Sequence, residues 1–134
     1  MTLIESEIQI KQPVKKVYSF LSDLRHYESL MPEAVSDWSA TEEQASFTMQ
    51  HMGKLFLKIS EKKVNESILI IPSEKPPFEV SFTWSLKPSS EGLTHVLLSI
   101  RADLNMMMKM LAIGPLKKWA DFQTTKLQQI LESA

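Results

Sequence analysis

Residues 80–104, VSFTWSLKPSSEGLTHVLLSIRADL, contain the pattern that decides the fold. Every second residue of the first half is apolar, namely Val80, Phe82, Trp84 and Leu86. After the turn residues PSSEG, apolar side chains again recur at every second position up to Leu104. A period of two is typical of strands with one buried face, and a short turn makes two successive strands antiparallel. We therefore expect an antiparallel sheet with one apolar face.

Further strands are predicted on the N-terminal side of this stretch. QASFTMQH (44–51) and KLFLKIS (54–60) alternate in the same way on either side of Gly53, which marks a tight turn, and ESILII (66–71) follows them. The first segment, 4–11, alternates isoleucines with glutamates. A strand through Val35–Trp38 brings the number of predicted strands to about seven. The sequence leaves open which face of this strand Asp37 occupies.

Helical periodicity appears at two places. PVKKVYSFLSDL (13–24) predicts a short helix that begins at a proline, and HYESLM (26–31) predicts a second one that ends before Pro32. The last thirty residues carry a helical stripe, and the Gly114–Pro115 pair is expected to kink this helix or divide it in two. The stripe comprises Leu116, Trp119, Ala120, Gln123, Leu127, Ile130 and Leu131.

The order of these elements predicts an α+β fold. The final helix, roughly 40 Å long at 1.5 Å per residue, is the one predicted element long enough to cover the apolar face of the sheet. We expect a curved antiparallel sheet of about seven strands around this helix, with two short helices after the first strand. With 134 residues and no internal repeat, the chain is expected to be a single domain, 1–134.

Composition excludes several function classes. The formal charge is −1, and residues 105–134 carry four lysines against two acids, so a concentrated basic face for nucleic acid is not expected. The absence of cysteine removes disulfides, thiolate nucleophiles and cysteine-based zinc sites, and three scattered glycines exclude a phosphate-binding glycine loop. The sequence contains no membrane-spanning apolar run and begins without a basic signal region, so a cytoplasmic location is expected.

Two stretches resemble a known superfamily. IESEIQIKQPVKKVYSFLSDLRHYESLMPE (4–33) and ADLNMMMKMLAIGPLKKWADFQTTKLQQIL (102–131) are similar to the START-like, or SRPBCC, helix-grip proteins of bacteria. This superfamily includes polyketide cyclases/dehydrases, lipid-transfer proteins and birch-pollen-type allergens. The resemblance is one of pattern and element order, and it covers essentially the whole chain. It implies a cavity between sheet and helix that holds a small hydrophobic or amphipathic molecule, without a cofactor.

The inward positions predict which residues line such a cavity. Its polar points are expected to be His51, which shares a strand face with Phe47, and Gln123, which lies at the centre of the helical stripe. The same side chains also suit a simple core, and His51 also suits a wet strand end. The predicted ligand-binding residues are Phe47, Met49, His51, Leu57, Phe82, Trp84, Leu98, Met110, Trp119 and Gln123.

Catalytic and metal-binding patterns are not found. His26, His51 and His95 lie in different predicted elements without ligand spacing, and no nucleophile motif occurs. Binding or carriage of a small hydrophobic ligand is therefore the leading hypothesis. The alternatives are a cyclase/dehydratase-like enzyme, which needs an inward ionisable group, and a chaperone-type interaction module, which needs an exposed apolar patch. The outward faces are mostly polar, with Phe56 and Leu97 as scattered exceptions. The sequence does not decide between a monomer and a homodimer.

Overall fold

The computed structural model describes residues 2–33, 35–49, 53–76 and 78–133. The secondary structure of these residues comprises seven strands, two α-helices and one 3₁₀ helix, in an order that confirms the predicted α+β architecture. The elements are β1 (Thr2–Ile10), α1 (Val14–Leu21), the 3₁₀ helix (Leu24–Leu30), β2 (Val35–Ala40), β3 (Gln44–Met49), β4 (Gly53–Lys63), β5 (Ser67–Pro72), β6 (Val80–Ser90), β7 (Leu93–Ala102) and α2 (Met106–Ser133).

All seven strands belong to one curved antiparallel sheet of order β1-β7-β6-β5-β4-β3-β2. Successive strands from β2 to β7 are neighbours, and β1 pairs with β7 to form the edge of the sheet opposite β2. The outermost strand, β2, contains a register shift between Ser36 and Ser39, and Asp37 has a positive φ of 57° there. This bulge leaves Asp37 exposed and turns Trp38 toward Phe47, which settles the orientation that the sequence left open.

The apolar face of the sheet is the concave one, and it faces α2. Phe82 pairs in register with Ile100, and Trp84 pairs with Leu98; all four side chains are buried. The ring of Phe82 meets Trp119 of α2 edge-on, with centroids 5.3 Å apart. The prediction that the alternating apolar residues of β6 face the final helix is therefore confirmed.

The final helix is a single element that runs through Pro115. Of the two outcomes expected at this proline, division of the helix is wrong, and a kink stays a prediction. Its buried face extends from Leu116 to Leu131 and agrees with the predicted stripe, except that Thr124 joins it and Ile130 is half-buried. A proline lacks only one backbone donor, and the packed residues that follow hold the helix in place.

A polar cluster fastens α2 to β1. The hydroxyl of Ser6, which is buried, donates to Asp121 Oδ1 at 2.6 Å and lies 2.8 Å from the hydroxyl of Thr124. Lys117 pairs with Asp121 at 3.2 Å and donates to the carbonyl oxygen of Glu5. Hydrogen bonding to Ser6, together with Lys117, lowers the pKa of Asp121 below its ordinary value of 3.8. This cluster occupies backbone acceptors on an edge strand and sets the position of α2 along the sheet.

The first ten residues of α2, 106–115, lie beside and beyond the first residues of β1, and we call them the overhang. Lys117 contacts Glu5 and Glu132 contacts Lys11, so the helix runs parallel to β1. At 1.5 Å per helical residue and about 3.3 Å per strand residue, Met110 lies about 10 Å before Lys117, level with the first residue of β1. Its side chain is 84% exposed. The prediction that Met110 lines the cavity is therefore wrong, because Met110 is on the outward side of the helix, whereas Met108 and Ala112 pack against the core.

The overhang is apolar as well as exposed. Met106, Met107 and Leu111 are 82%, 72% and 72% exposed, and Ile113 is also exposed. The sequence predicted only scattered apolar residues on the surface, because the pattern of the helix does not tell where the sheet ends. Such a patch is the feature that an interaction module requires, so the structure keeps that alternative open. Among the described residues, no helix combines the length and the apolar character needed to cross a membrane.

Candidate ligand-binding site

A small, partly open cavity of about 20 Å³ lies between the concave face of the sheet, the 3₁₀ helix and α2. Its walls are apolar and aromatic, with few polar groups. A cavity of this size accommodates one water molecule. An organic ligand would therefore need some wall side chains to move. The described residues that line the cavity are Leu24, Tyr27, Met31, Trp38, Leu57, Ile70, Phe82, Trp84, Leu98, Trp119 and Gln123.

Two wider grooves lie outside the core and differ from this cavity in their exposure to solvent. One, of about 500 Å³, includes Glu74, Lys75 and Arg101, and the other, of about 400 Å³, includes Asp103 and Met108. Both are open to solvent beside residues 73–79 and are lined by charged side chains. The smaller cavity within the core is the better candidate because ligand sites are mostly apolar and bury most of their ligand.

Aromatic rings form one side of the cavity. Trp38 stacks on Phe47 with centroids 5.1 Å apart, and Phe47 lies 6.1 Å from Trp119, which in turn contacts Phe82. These separations are those of favourable aromatic pairs. The rings therefore offer flat walls to a molecule placed beside them.

The 3₁₀ helix forms the opposite wall and brings Leu24, Tyr27 and Met31 to the cavity. It is held at its start by Asp23, whose carboxylate accepts from the backbone N–H of Arg25 and pairs with the Arg25 guanidinium at 2.7 Å. The guanidinium lowers the pKa of Asp23 to about 2. A charged cap of this kind stabilises a short helix that has few internal hydrogen bonds.

The cavity reaches the surface at Met31 and Trp38. Both side chains are half-buried. Other lining residues, such as Leu98 and Trp84, are about 1% exposed. Met31 follows the 3₁₀ helix and Trp38 belongs to the bulged edge strand β2. The unbranched thioether of a methionine adapts readily to a changing shape. Met31 and Trp38 therefore form the mouth of the cavity.

Three polar side chains border the cavity in addition to the phenol of Tyr27. The indole N–H groups of Trp38 and Trp119 are buried, and neither has an acceptor within the described part of the chain. Gln123, 3% exposed, places its amide on the same cavity. A buried donor without an acceptor is uncommon in folded proteins. Both tryptophans line the cavity, so an acceptor that enters beside their rings would give these N–H groups a partner.

Tyr27 contributes the single ionisable side chain among the described lining residues. Its hydroxyl donates to the carbonyl oxygen of Leu21 at 2.7 Å. Burial raises the pKa of this phenol well above its ordinary value, and a hydrogen bond with Trp84 opposes the rise only in part. The phenol is therefore neutral at physiological pH, and its proton is engaged by the backbone.

The structure brings together six of the residues predicted from the sequence. Leu57, Phe82, Trp84, Leu98, Trp119 and Gln123 line the cavity. Phe47 and Met49 are buried in the same core without lining it; Phe47 lies behind Trp38 and Trp119. Met110 lies on the overhang, as described above, and His51 lies outside the described residues. That these side chains bind a ligand stays a prediction.

The sequence did not assign five further lining residues, Leu24, Tyr27, Met31, Trp38 and Ile70. Ile70 belongs to ESILII, where neighbouring apolar residues hide which face is inward. Tyr27 belongs to a 3₁₀ helix too short for its period to indicate a buried side, and Met31 directly follows that helix. Trp38 stands beside Asp37 in a predicted strand, and the sequence does not tell which of the two faces inward. The bulge that turns Trp38 inward depends on pairing with β3.

Solved structures of other proteins share this architecture. A protein of Thermus thermophilus matches with a TM-score of 0.80 and 17% identity over 98% of each chain. A START superfamily protein of Mycobacterium smegmatis matches with a TM-score of 0.70 and 14% identity, over 96% of this chain and 98% of its own. The chain has the START-like helix-grip fold. The resemblance predicted from residues 4–33 and 102–131 is confirmed.

A third match is the di-domain ARO/CYC protein BexL of the BE-7585A biosynthetic pathway. It has a TM-score of 0.76 and 16% identity over 98% of this chain and 47% of BexL, so this chain corresponds to about half of that protein. No family model matches the sequence, and no curated protein matches it either. Identities this low establish the START-like fold and leave the ligand to be argued from the cavity itself.

Proposed function

We propose that this chain binds one small hydrophobic or amphipathic molecule in the cavity between the sheet and α2. The observation that carries the proposal is the composition of the cavity wall: aromatic and aliphatic side chains with a few polar groups, which is the usual make-up of a small-molecule site. The START-like proteins that share the fold, among them a polyketide ARO/CYC protein, support a ligand site at this place.

Entry of a ligand requires the cavity to enlarge. Met31 and Trp38, the half-buried pair at its mouth, are the side chains whose outward movement exposes the least new apolar surface. Trp119 and Phe82 then form the floor, because they meet edge-on beneath the mouth. The free energy of opening reduces the apparent affinity, so we expect binding in the micromolar range, about −8 kcal/mol.

A binding role is better supported than catalysis. A general base or acid must have an available proton site in the cavity, and the ionisable side chain found among the described lining residues, Tyr27, has its hydroxyl engaged with Leu21. His51 stays the other candidate base. For His51→Ala we expect an affinity change of about 1 kcal/mol, the scale of one hydrogen bond, and no chemical change in recovered ligand. Conversion of the ligand by the unaltered protein that disappears in His51→Ala would favour the cyclase/dehydratase alternative.

The proposal is tested by titrating the protein with an uncharged naphthalene fluorophore whose emission depends on its surroundings. Trp119→Leu removes a lining ring, and Phe122→Leu removes an outward ring that is 40% exposed on the same helix. We expect Trp119→Leu to change the dissociation constant about tenfold or more and Phe122→Leu to change it less than twofold. Far-UV circular dichroism of both variants checks that they are folded. Equal effects of the two substitutions, or absence of binding, would overturn the proposal.

A further inference from the structure

Two hydrogen-bond donors of the cavity have no acceptor in the described part of the chain. They are the indole N–H groups of Trp38 and Trp119, and both nitrogen atoms are buried. An indole nitrogen only donates, so it cannot be satisfied by another donor. Leaving it unpaired in an apolar core costs free energy that a ligand acceptor would recover. The third tryptophan of the chain, Trp84, differs because its indole nitrogen is not one of these buried atoms without a partner, and its ring meets Tyr27 edge-on at 6.4 Å.

The two donors belong to one continuous aromatic wall. Trp38 stacks on Phe47, Phe47 adjoins Trp119, and both indoles line the same cavity. Gln123, one helical turn after Trp119, adds a polar side chain to this wall. A molecule lying against these rings therefore meets flat apolar surface with hydrogen-bond donors at its edge.

The charge of the walls restricts what can enter. Apart from the phenol of Tyr27, none of the described lining residues is ionisable, so neither a carboxylate nor an ammonium group would find an opposite charge. An ion without a partner is strongly disfavoured in such surroundings. An uncharged oxygen, in contrast, accepts a hydrogen bond from an indole at no such cost.

From these observations we propose that the cavity selects an uncharged, flat ring molecule with a carbonyl oxygen, which accepts a hydrogen bond from the indole N–H of Trp119 or Trp38. This inference rests on the proposed function and makes it more specific. It separates neutral ring ketones, quinones and esters from fatty acids and other carboxylates of similar size.

Three naphthalenes of nearly equal shape test the chemistry of recognition. 2-Acetylnaphthalene carries a carbonyl oxygen, 2-isopropenylnaphthalene replaces that oxygen with a methylene group, and 2-naphthoate carries a charged carboxylate. After correction for their partition between water and octanol, we expect the ketone to bind about tenfold more tightly than the alkene, the scale of one hydrogen bond. The carboxylate is expected to bind more weakly than both.

Tryptophan-to-phenylalanine variants locate the donor, because they remove the N–H and keep a ring. In Trp119→Phe or in Trp38→Phe the preference for the ketone should fall below threefold. Trp84→Phe is the matched control, since it removes a third lining indole that is not one of the two unpartnered donors, and the preference should persist there. The three indole N–H signals in a ¹H–¹⁵N spectrum are assigned by the same variants. The signal of Trp119 or Trp38 should move downfield with the ketone and not with the alkene.

The outcomes distinguish the two proposals. If none of the three naphthalenes binds, the proposed function fails. If the ketone and the alkene bind equally well, or if the ketone preference survives in both Trp119→Phe and Trp38→Phe, binding stands and the proposed carbonyl recognition is wrong. Tighter binding of 2-naphthoate than of the ketone would also overturn it.

Discussion

The two parts of α2 have similar apolar content and opposite surroundings. In the overhang, Met106, Met107, Met110 and Leu111 are each at least 72% exposed, whereas Leu127 is fully buried in the second part of the same helix. Both parts are continuous helix. The difference arises because only Met108 and Ala112 of the overhang pack against the core, while its other apolar side chains point away from it. An apolar side chain thus contributes to the core only where another element is present to cover it, and four predictions test this comparison.

The largest expected effect concerns the same substitution made in each part. Leu127→Ala leaves a cavity in the core and should lower the free energy of unfolding by about 2–5 kcal/mol. Leu111→Ala, on the overhang, should change it by about 0.5 kcal/mol or less. Urea unfolding followed by circular dichroism measures both. Similar losses in the two variants would mean that the overhang is covered in solution.

The next largest effect concerns the polar cluster around Ser6 and Asp121, which sets the position of α2 along the sheet. Ser6→Ala removes the donor to Asp121 and the neighbour of Thr124, and we expect a loss of about 1–2 kcal/mol in urea unfolding. Ser81→Ala, on the convex face of β6, is the control and should cost less than about 0.5 kcal/mol. A Ser6→Ala variant as stable as the control would show that α2 does not depend on this cluster for its position.

A smaller effect of opposite sign is expected within the overhang. Gly114 lies inside α2, and a Cβ added there would meet no atom within 4 Å. Gly114→Ala should therefore stabilise the helix by about 0.5–1 kcal/mol, because alanine loses less backbone entropy than glycine. Far-UV circular dichroism and urea unfolding measure the gain. If neither changes, the overhang is not a formed helix in solution.

The smallest effect is a dependence on pH. The folded-state pKa of Asp121 lies below its unfolded value of 3.8, so the unfolded chain binds this proton more readily than the folded one. The resulting stability is present above about pH 5 and is lost as the pH falls through the folded-state pKa. The stability difference between the unaltered protein and Asp121→Asn should therefore be constant from pH 7 to 5 and shrink below pH 4. Asp23, whose pKa is about 2, is common to both proteins and cancels. A difference that grows on acidification would contradict this assignment.

The extent of sequence-based prediction differed between fold and site. Strand alternation in 80–104 predicted the inward residues of β6 and β7, because the two faces of a strand follow from local geometry. The site was predicted where it consists of such alternating residues, as at Phe82 and Leu98. It was missed where irregular backbone decides orientation, as for Trp38 at the bulge of β2 and Tyr27 on the 3₁₀ helix.

The sequence by itself determined the strands, the helices, their order and the polarity of each face, since these depend on the spacing of side chains along a few neighbouring residues. Only the tertiary structure decided which apolar residues are covered, as Met110 shows by its exposure while Met108 and Ala112 pack against the core. It also decided which polar groups meet, as with Ser6 and Asp121, 115 residues apart, and which do not, as with the indole of Trp119. The physical reason is that burial and hydrogen bonding depend on where distant elements begin and end relative to one another, and no local periodicity contains that distance.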